Sequence, residues 1–472
     1  MIKNSKLLDI LRTFSKKDVS AFDKYLSSSF LNPNATLPSF FEYLKKFHPT
    51  YDQEELSKEN IFKHFFTGKK YEDKKVRYLL TDLTKRVEGF IAYSAFSRDE
   101  FVYVSKLQEE FLARNCDDEY IRTYKEFKKS LSTSIVRDTD FYYRIFRHEH
   151  SHLVFEFSKQ KRDDKSNMEE VLDNLDKFYL SKKLQLCCEI YNVQNVLSIS
   201  YRVFLLDEIL GYVSNHSFQD TPAITIYYQI LMTLKESDNE EHFPKLRKLL
   251  LENESKFAPR ELRDMYQFVL NYSIKKINLG DTGYQEKLFE TYKIMLKNKV
   301  LLDGDFISQW DYKNIVTISL RQREYDWAKN FIHEYKSNLR PAARDNAFTY
   351  NLALLHFHKK EYSAALSQLQ KVNFTDVHYQ LDTRAIMLKI YFESEDHDAL
   401  FYHATAFKTF IRRNRLISKY HKIIYSNLIR YTLKLTRAGG NKKKIAALKK
   451  NIEETKQIAD LRWLIQKAEE LS

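Results

Sequence analysis

Only three cysteines occur in 472 residues, Cys116, Cys187 and Cys188, and two of them are adjacent. Their spacing fits neither a disulfide framework nor a CxxC metal knuckle, which points to a reducing compartment. Glycine (8) and proline (7) are scarce. An all-β fold needs many tight turns and a disordered chain needs breakers, so long helices joined by short polar loops fit better. Long apolar runs are missing too, and no stretch approaches the roughly 18 apolar residues that a membrane span needs. The opening "MIKNSKLLDILRTFSKKD" places Asp9 and Arg12 inside its only apolar stretch. That pattern predicts an amphipathic helix, not a signal-peptide core, and a cytoplasmic location. Neither a Gly-rich phosphate loop nor a G-x-S-x-G elbow is present, and no cofactor is expected.

Acidic residues are absent from one long block. Between Ala399 and Ile452 there are fourteen Lys or Arg and no Asp or Glu, although the whole chain carries 77 bases and 64 acids. Outside that block 63 bases face 64 acids, so the net charge of +13 belongs to the C-terminal block alone. Within it, Ile417, Tyr420, Ile424, Leu428, Tyr431 and Leu435 recur in steps of three and four, a buried helical stripe. On a continuous helix, Arg412, Arg415, Lys419, Lys422, Arg430, Lys434 and Arg437 fall mainly on the opposite side. Lys442, Lys443 and Lys444 follow a "GGN" break. Three readings stay open for this basic face: a solvated surface, a nucleic-acid interface and a docking face for an acidic protein.

What the chain has is aromatics and helical periodicity. The 32 Tyr and 34 Phe supply bulky groups for helix packing. Ser15 is an expected N-cap, with Asp18 at the capping-box position. Val76, Leu80, Leu83, Val87, Phe90 and Ser94 mark one stripe of a long helix. A polar break is expected at 161–167.

Internal repetition is clearest after residue 260. "NIVTISLRQREYDWAKNFIHEY" (314–335) aligns with "NLALLHFHKKEYSAALSQLQKV" (351–372), with Asn314 on Asn351, Glu324-Tyr325 on Glu361-Tyr362 and Ala328 on Ala365. A weaker third copy sets Ala399 34 positions after Ala365. Spacing and pattern resemble tetratricopeptide repeats, helix–turn–helix units of about 34 residues. Each hairpin of that kind exposes apolar surface that only its neighbour covers, so hairpins stack.

Three further stretches carry a resemblance of the whole chain. They are "FDKYLSSSFLNPNATLPSFFEYL" with "LSKENIFKHFF" and "YEDKKVRYLLTDLTKRVEGF", then "NLDKFYLSKKLQLCCEIYNVQNV", then "ADLRWLIQKAEEL". The chain resembles an uncharacterised bacterial family of all-helical, tetratricopeptide-like repeat proteins. The resemblance implies a fold and no activity. The expected fold is an all-α solenoid of stacked hairpins. Its parts are an N-terminal helical module (1–97), middle hairpins (98–257), tetratricopeptide-like repeats (258–411) and a basic C-terminal cap (412–472). Trp463 is expected to seat the last helix on the preceding hairpin.

In tetratricopeptide arrays the first helix of each hairpin lines a groove that clamps peptides. By that resemblance Lys313, Asn314, Thr317 and Arg321 line one repeat, Tyr350, Asn351 and His358 the next, and Arg384 the third. Leu354 departs from a full carboxylate clamp, and Asn314 and Asn351 are read first as bonding across helices.

One motif points elsewhere. His148-Glu149-His150-Ser151-His152 spells H-E-x-x-H, two zinc ligands one helical turn apart around a general base. A third ligand is missing unless Glu169 or Glu170 supplies it, and no strand is at hand to bind a substrate. The competing reading is a helix face of stacked His and Tyr whose histidines look to solvent, with no metal bound. The expectation is thus a non-enzymatic scaffold that binds a protein or peptide, with nucleic acid at the basic face as the alternative. Zinc hydrolysis at His148, Glu149 and His152 is a distant third.

Overall fold

The computed structural model describes residues 5–159, 166–197, 201–278, 280–372, 376–455 and 457–472. These residues form α-helices and no strand, with isolated bridges at Asp303–Phe306 and Ile307–Leu339. The expected break at 161–167 falls outside the described residues apart from Ser166 and Asn167. No helix among the described residues is long and apolar enough to cross a membrane.

The chain divides into two compact units, Met1–Ser134 with Asp140–Phe178, and Ile135–Thr139 with Tyr179–Ser472. The division falls inside the segment 98–257 that the sequence groups as one.

In the first unit α1 (Lys6–Leu11), α2 (Lys16–Ser27), α3 (Thr36–Lys45) and α4 (Lys58–Phe65) pack around α5 (Asp73–Arg98). Ser15 caps α2 in a full capping box with Asp18. The buried stripe of α5 is Val76, Leu79, Leu83, Val87 and Phe90, with Leu80 only partly buried. Phe22 stands at the centre, with ring centroids 4.7 Å from Phe41 and 5.3 Å from Phe90. At Gly89 a Cβ would lie 2.8 Å from the Tyr25 hydroxyl, so a side chain there would have to move the end of the Tyr25 ring. Next come α6 (Glu100–Ala113), α7 (Asp117–Thr133) and α8 (Thr139–Ser158), then α9 (Met168–Leu197), whose residues belong partly to each unit.

The second unit is a run of helical hairpins. After α10 (Leu206–Asn215), the pairs are α11 (Pro222–Lys235) with α12 (His242–Asn253), and α13 (Pro259–Asn278) with α14 (Gly283–Lys297). They continue as α15 (Gln309–Arg321) with α16 (Tyr325–Glu334), and α17 (Pro341–His358) with α18 (Tyr362–Leu369). The last pairs are α19 (Val377–Glu393) with α20 (His397–Arg413) and α21 (Lys419–Ala438) with α22 (Lys442–Glu454), before the final α23 (Leu461–Glu470). First helices pack on first helices, α15 on α17, α17 on α19 and α19 on α21, making one continuous wall.

Three of these hairpins share one turn. Arg323, Lys360 and Glu395 each take a left-handed conformation, at φ of 62°, 61° and 57°. The next amide in each reaches back five residues, Glu324 to Ser319 at 2.9 Å, Glu361 to His356 at 2.9 Å and Asp396 to Tyr391 at 3.1 Å. That is a Schellman closure, which satisfies carbonyls that the ending helix leaves over. Turn and caps set the repeat: Glu324, Glu361 and Asp396 are equivalent N-caps. The first interval is 37 positions, as the sequence alignment has it, but the second is 35 rather than 34. The equivalent of the fully buried Ala365 is therefore Leu400, also fully buried, while Ala399 is only half-buried.

The basic block is not one helix. α20 stops at Arg413, and Ser418 caps α21 by accepting from the His421 amide at 3.2 Å. Ile417, Leu428, Tyr431 and Leu435 are buried as the stripe predicts, but Tyr420 is 56% exposed.

Candidate functional site

The HEHSH helix is α8, and its centre is interior packing. His148 is 4% exposed, and its Nε2 lies 3.2 Å from the Tyr124 carbonyl oxygen. The Tyr124 ring stacks on His148 at 4.6 Å and on His152 at 3.8 Å. Glu149 is 1% exposed and accepts from the Tyr124 hydroxyl at 2.8 Å and the Asn167 amide at 2.7 Å. Lys128 Nζ sits 3.0 Å from Glu149 and 2.9 Å from Glu170. Two carboxylates do converge here, and the cation between them is a lysine. Burial opposes ionisation of Glu149, yet the bonds from Asn167, Lys128 and Tyr124 hold its carboxyl below the usual range. Burial pushes His148 down to about 4, against the pull of Glu149 and the Tyr124 carbonyl.

This corrects one expectation from the sequence. The histidines were expected to look to solvent, but His148 is interior because α7 lays Tyr124 and Phe127 over that face. Nor does the geometry suit zinc: a base buried under three donors has no open side for a metal-bound water. Among the described residues no group of three or more His, Cys, Asp or Glu could hold a metal ion.

The wall of first helices gathers a second constellation. Lys313 Nζ lies 5.9, 5.6 and 5.3 Å from the ring centroids of Trp310, Tyr350 and Tyr379. It also pairs with Asp382, which accepts from the Tyr425 hydroxyl at 2.6 Å. Burial, with Asp382 nearby, raises the Tyr350 and Tyr425 phenols far above their ordinary value. Further along, Arg321, His358 and Lys389 surround Asp460, a residue between α22 and α23. Lys389 Nζ is 2.7 Å from the Asp460 carboxylate. Burial opposes the Asp460 charge, but Lys389, Arg321 and His358 together hold its carboxyl below the usual range. Burial, then Lys389 and Arg321, pushes His358 down to about 4. Burial also lowers Arg321, and Asp460 resists that shift while Arg462 adds to it.

The residues expected to line the groove divide. Lys313, Tyr350, Arg321 and His358 join these two clusters, and Thr317 lies between Lys313 and Arg321 with its hydroxyl bonded to the Lys313 carbonyl at 2.8 Å. Asn314 stands beside the Tyr292 phenol of α14 and lowers it against the effect of burial. Among the described residues Asn351 does not bond across helices: it is fully buried, its amide donates to Ala347 of its own helix at 2.8 Å and its Oδ1 has no partner there. Arg384 turns to α20, with its guanidinium 4.0 Å from the Phe410 ring. The 35-residue interval explains this. It makes Asp382, Lys389 and Glu393 the equivalents of Ala347, Leu354 and His358, spaced by seven and four on one helical face. An error of one position in a helix rotates a side chain by about 100°, which is why Arg384 faces the wrong way.

All ten residues of the basic face lie at the surface, Lys422 half-buried and the others exposed. Among the described residues, none of the ten forms an ion pair with a carboxylate. Arg430 stacks on Tyr431 at 4.6 Å and Arg437 on Phe401 at 5.5 Å. Between the charges stand Tyr402, Leu416, Tyr420 and Ile423, which are 81%, 80%, 56% and 45% exposed.

Cys187 and Cys188 are buried as packing groups, and Cys188 donates to the Tyr227 carbonyl at 3.3 Å. A carboxylate that the sequence does not single out is Glu261. It accepts from Thr139 at 2.8 Å and Tyr227 at 2.9 Å, and burial beside Asp138 pushes it up to about 7. No family model, curated protein or solved structure matches the chain.

Proposed function

We propose that the chain is a non-enzymatic, cytoplasmic helical-repeat scaffold that binds a peptide or protein segment along the wall of α15, α17 and α19. The observation that carries this reading is the order of side chains on that wall. Thr317, Leu354 and Lys389 are equivalent, as are Arg321, His358 and Glu393, so polar or charged groups recur at two positions across three helices with Leu354 as the one apolar member. Stacked tetratricopeptide-like hairpins would make this strip the inner side of a solenoid. Arg321 is exposed and has no carboxylate within ion-pair distance among the described residues. An acidic segment complements such a group.

A second reading rests on the basic face, where ten cations with no carboxylate partner among the described residues stand beside exposed aromatic and aliphatic groups. Cations that release counterions and rings that stack on bases are what a nucleic-acid strand needs.

Affinity capture with mass spectrometry, with and without nuclease, tests both. The expected result is a defined protein partner that survives nuclease and is lost with Arg321→Glu. It is retained by a variant with Arg412, Arg415, Lys419 and Lys422 reversed to Glu. Loss on nuclease treatment or in the reversed variant, with Arg321→Glu unaffected, refutes the wall and supports nucleic acid.

A further inference from the structure

The C-terminal segment lies against the face that the proposed function assigns to a partner. From the α22–α23 connection, the Ala459 amide bonds to the Ile424 carbonyl at 3.2 Å, which places the next residues on the first helices. Asp460 then reaches Lys389 at 2.7 Å, 71 positions earlier in the chain. The Arg462 guanidinium donates to the Ile277 carbonyl of α13 at 3.0 Å. Trp463 donates its indole N–H to Glu393 at 2.5 Å and sets its ring 5.4 Å from Phe392, and Lys467 pairs with the same Glu393 at 3.3 Å. Lys389 and Glu393 are the third-hairpin equivalents of Leu354 and His358, so the segment uses the wall's own recognition strip. Trp463 was expected to seat the last helix on the preceding hairpin; it packs on the core that α19 to α22 share, with its indole N–H turned to α19.

Asp460 is held in this place at a conformational cost. It is the N-cap of α23, where an Asp side chain ordinarily accepts from the helix's own amides. Here it makes no such bond and its backbone is left-handed at φ 51°. A non-glycine residue in that region loses about 1 kcal/mol or more. Lys389 and Arg321 share the Asp460 carboxylate, while Glu393 is engaged by Trp463, Tyr362 and Lys467, so among the described residues Arg321 has no ion pair of its own.

We propose that residues 457–472 are an intramolecular ligand of the wall, displaced by an acidic partner segment. The partner supplies one carboxylate for Lys389, a second for Arg321 and, three residues beyond the first, an aromatic N–H or O–H donor for Glu393. This rests on the wall being a binding surface and adds the ligand's chemistry and the contact that competes with it. Leu464 and Ala468 are fully buried in the core shared with α21 and α22, so release requires a local opening of α23 against the cost of that packing.

The probe is a labelled peptide of residues 457–472, titrated by fluorescence anisotropy into the full chain. Wild type should bind it weakly. Asp460→Asn/Trp463→Phe, which keeps an aromatic ring at 463 and removes the Asp460 charge and the indole N–H, should bind it at least tenfold more tightly. Adding Lys389→Ala to that variant should cancel the gain. A variant with wild-type circular dichroism that binds no more tightly than wild type overturns the proposal. Hydrogen exchange on the unmodified chain gives a second reading, with α23 amides expected to exchange at least tenfold faster than those of α21. Equal protection makes the segment a permanent cap and also overturns it. If partner capture is the same in wild type and Asp460→Asn/Trp463→Phe but is lost with Arg321→Glu, the wall stands as a binding surface and displacement fails. If Arg321→Glu keeps the partner, the wall itself fails and this inference with it.

Discussion

The Tyr124 hydroxyl donates to the Glu149 carboxylate at 2.8 Å, and the same ring lies against His148 and His152. One tyrosine of α7 thus engages each of the three residues that spell a zinc signature on α8. The phenol and Asn167 spend the carboxylate's acceptor sites, and Lys128 neutralises its charge. Glu149→Ala should therefore destabilise the first unit by about 2–3 kcal/mol, since it leaves buried donors unpaired. Glu149→Gln keeps two of the acceptor contacts and should cost about 1 kcal/mol. Chemical unfolding measures both, and the midpoint should not move with a metal chelator. A chelator-dependent midpoint would restore the metal reading.

His148 makes that unit sensitive to acid. Its folded value of about 4 is below the 6.5 of an ordinary histidine. As pH falls from 6.5 towards 4 the unfolded chain takes up a proton that the folded chain refuses, so stability declines through that window. The loss from this group is on the order of 3 kcal/mol. His148→Gln should be less stable than wild type at pH 7.5 and show a shallower decline between pH 6.5 and 4. Parallel curves for the two proteins would contradict the buried neutral imidazole.

Glu261 gives the second unit the opposite dependence. Its value rises from 4.5 to about 7, because it is buried beside Asp138. Between those values the folded chain holds a proton that the unfolded chain has lost, so stability falls as pH rises from 4.5 to 7. Glu261→Gln should raise stability at pH 8 by up to about 3 kcal/mol and bring little gain at pH 4. Thermal unfolding at the two pH values checks this, and a gain of the same size at both would refute the assignment.

The shared turn offers a test free of any charge change in the groove. Arg323, Lys360 and Glu395 hold left-handed conformations that glycine adopts without a Cβ penalty. Each single change to Gly should stabilise by up to about 1 kcal/mol, after the greater freedom of glycine in the unfolded chain is subtracted. Destabilisation at all three would mean that the turns are not Schellman closures.

Much of the fold is legible in the sequence because it rests on local rules. The Ser15–Asp18 box, the α5 stripe and the 37-residue interval between the Glu324 and Glu361 caps depend on neighbours a few positions apart. Legibility ended where one position mattered. An interval of 34 in place of 35 assigned Arg384 to the wall and passed over Asp382, Lys389 and Glu393, since a helix converts a single slip into a turn of its face. Tyr420 was assigned to the core for a related reason, because the break at Ser418 starts a new helix beside it.

By itself the sequence determined the helices, their caps, the repeated turn and the concentration of charge after Ala399, all consequences of periodicity, backbone sterics and composition. Only the tertiary structure decided which polar residues meet. His148 is interior because α7 covers it, the carboxylates Glu149 and Glu170 share Lys128, and Asp460 crosses 71 positions to Lys389. Hydrogen bonds and ion pairs act over about 3 Å, and the spacing of residues along a chain carries no record of which distant segments come within that range.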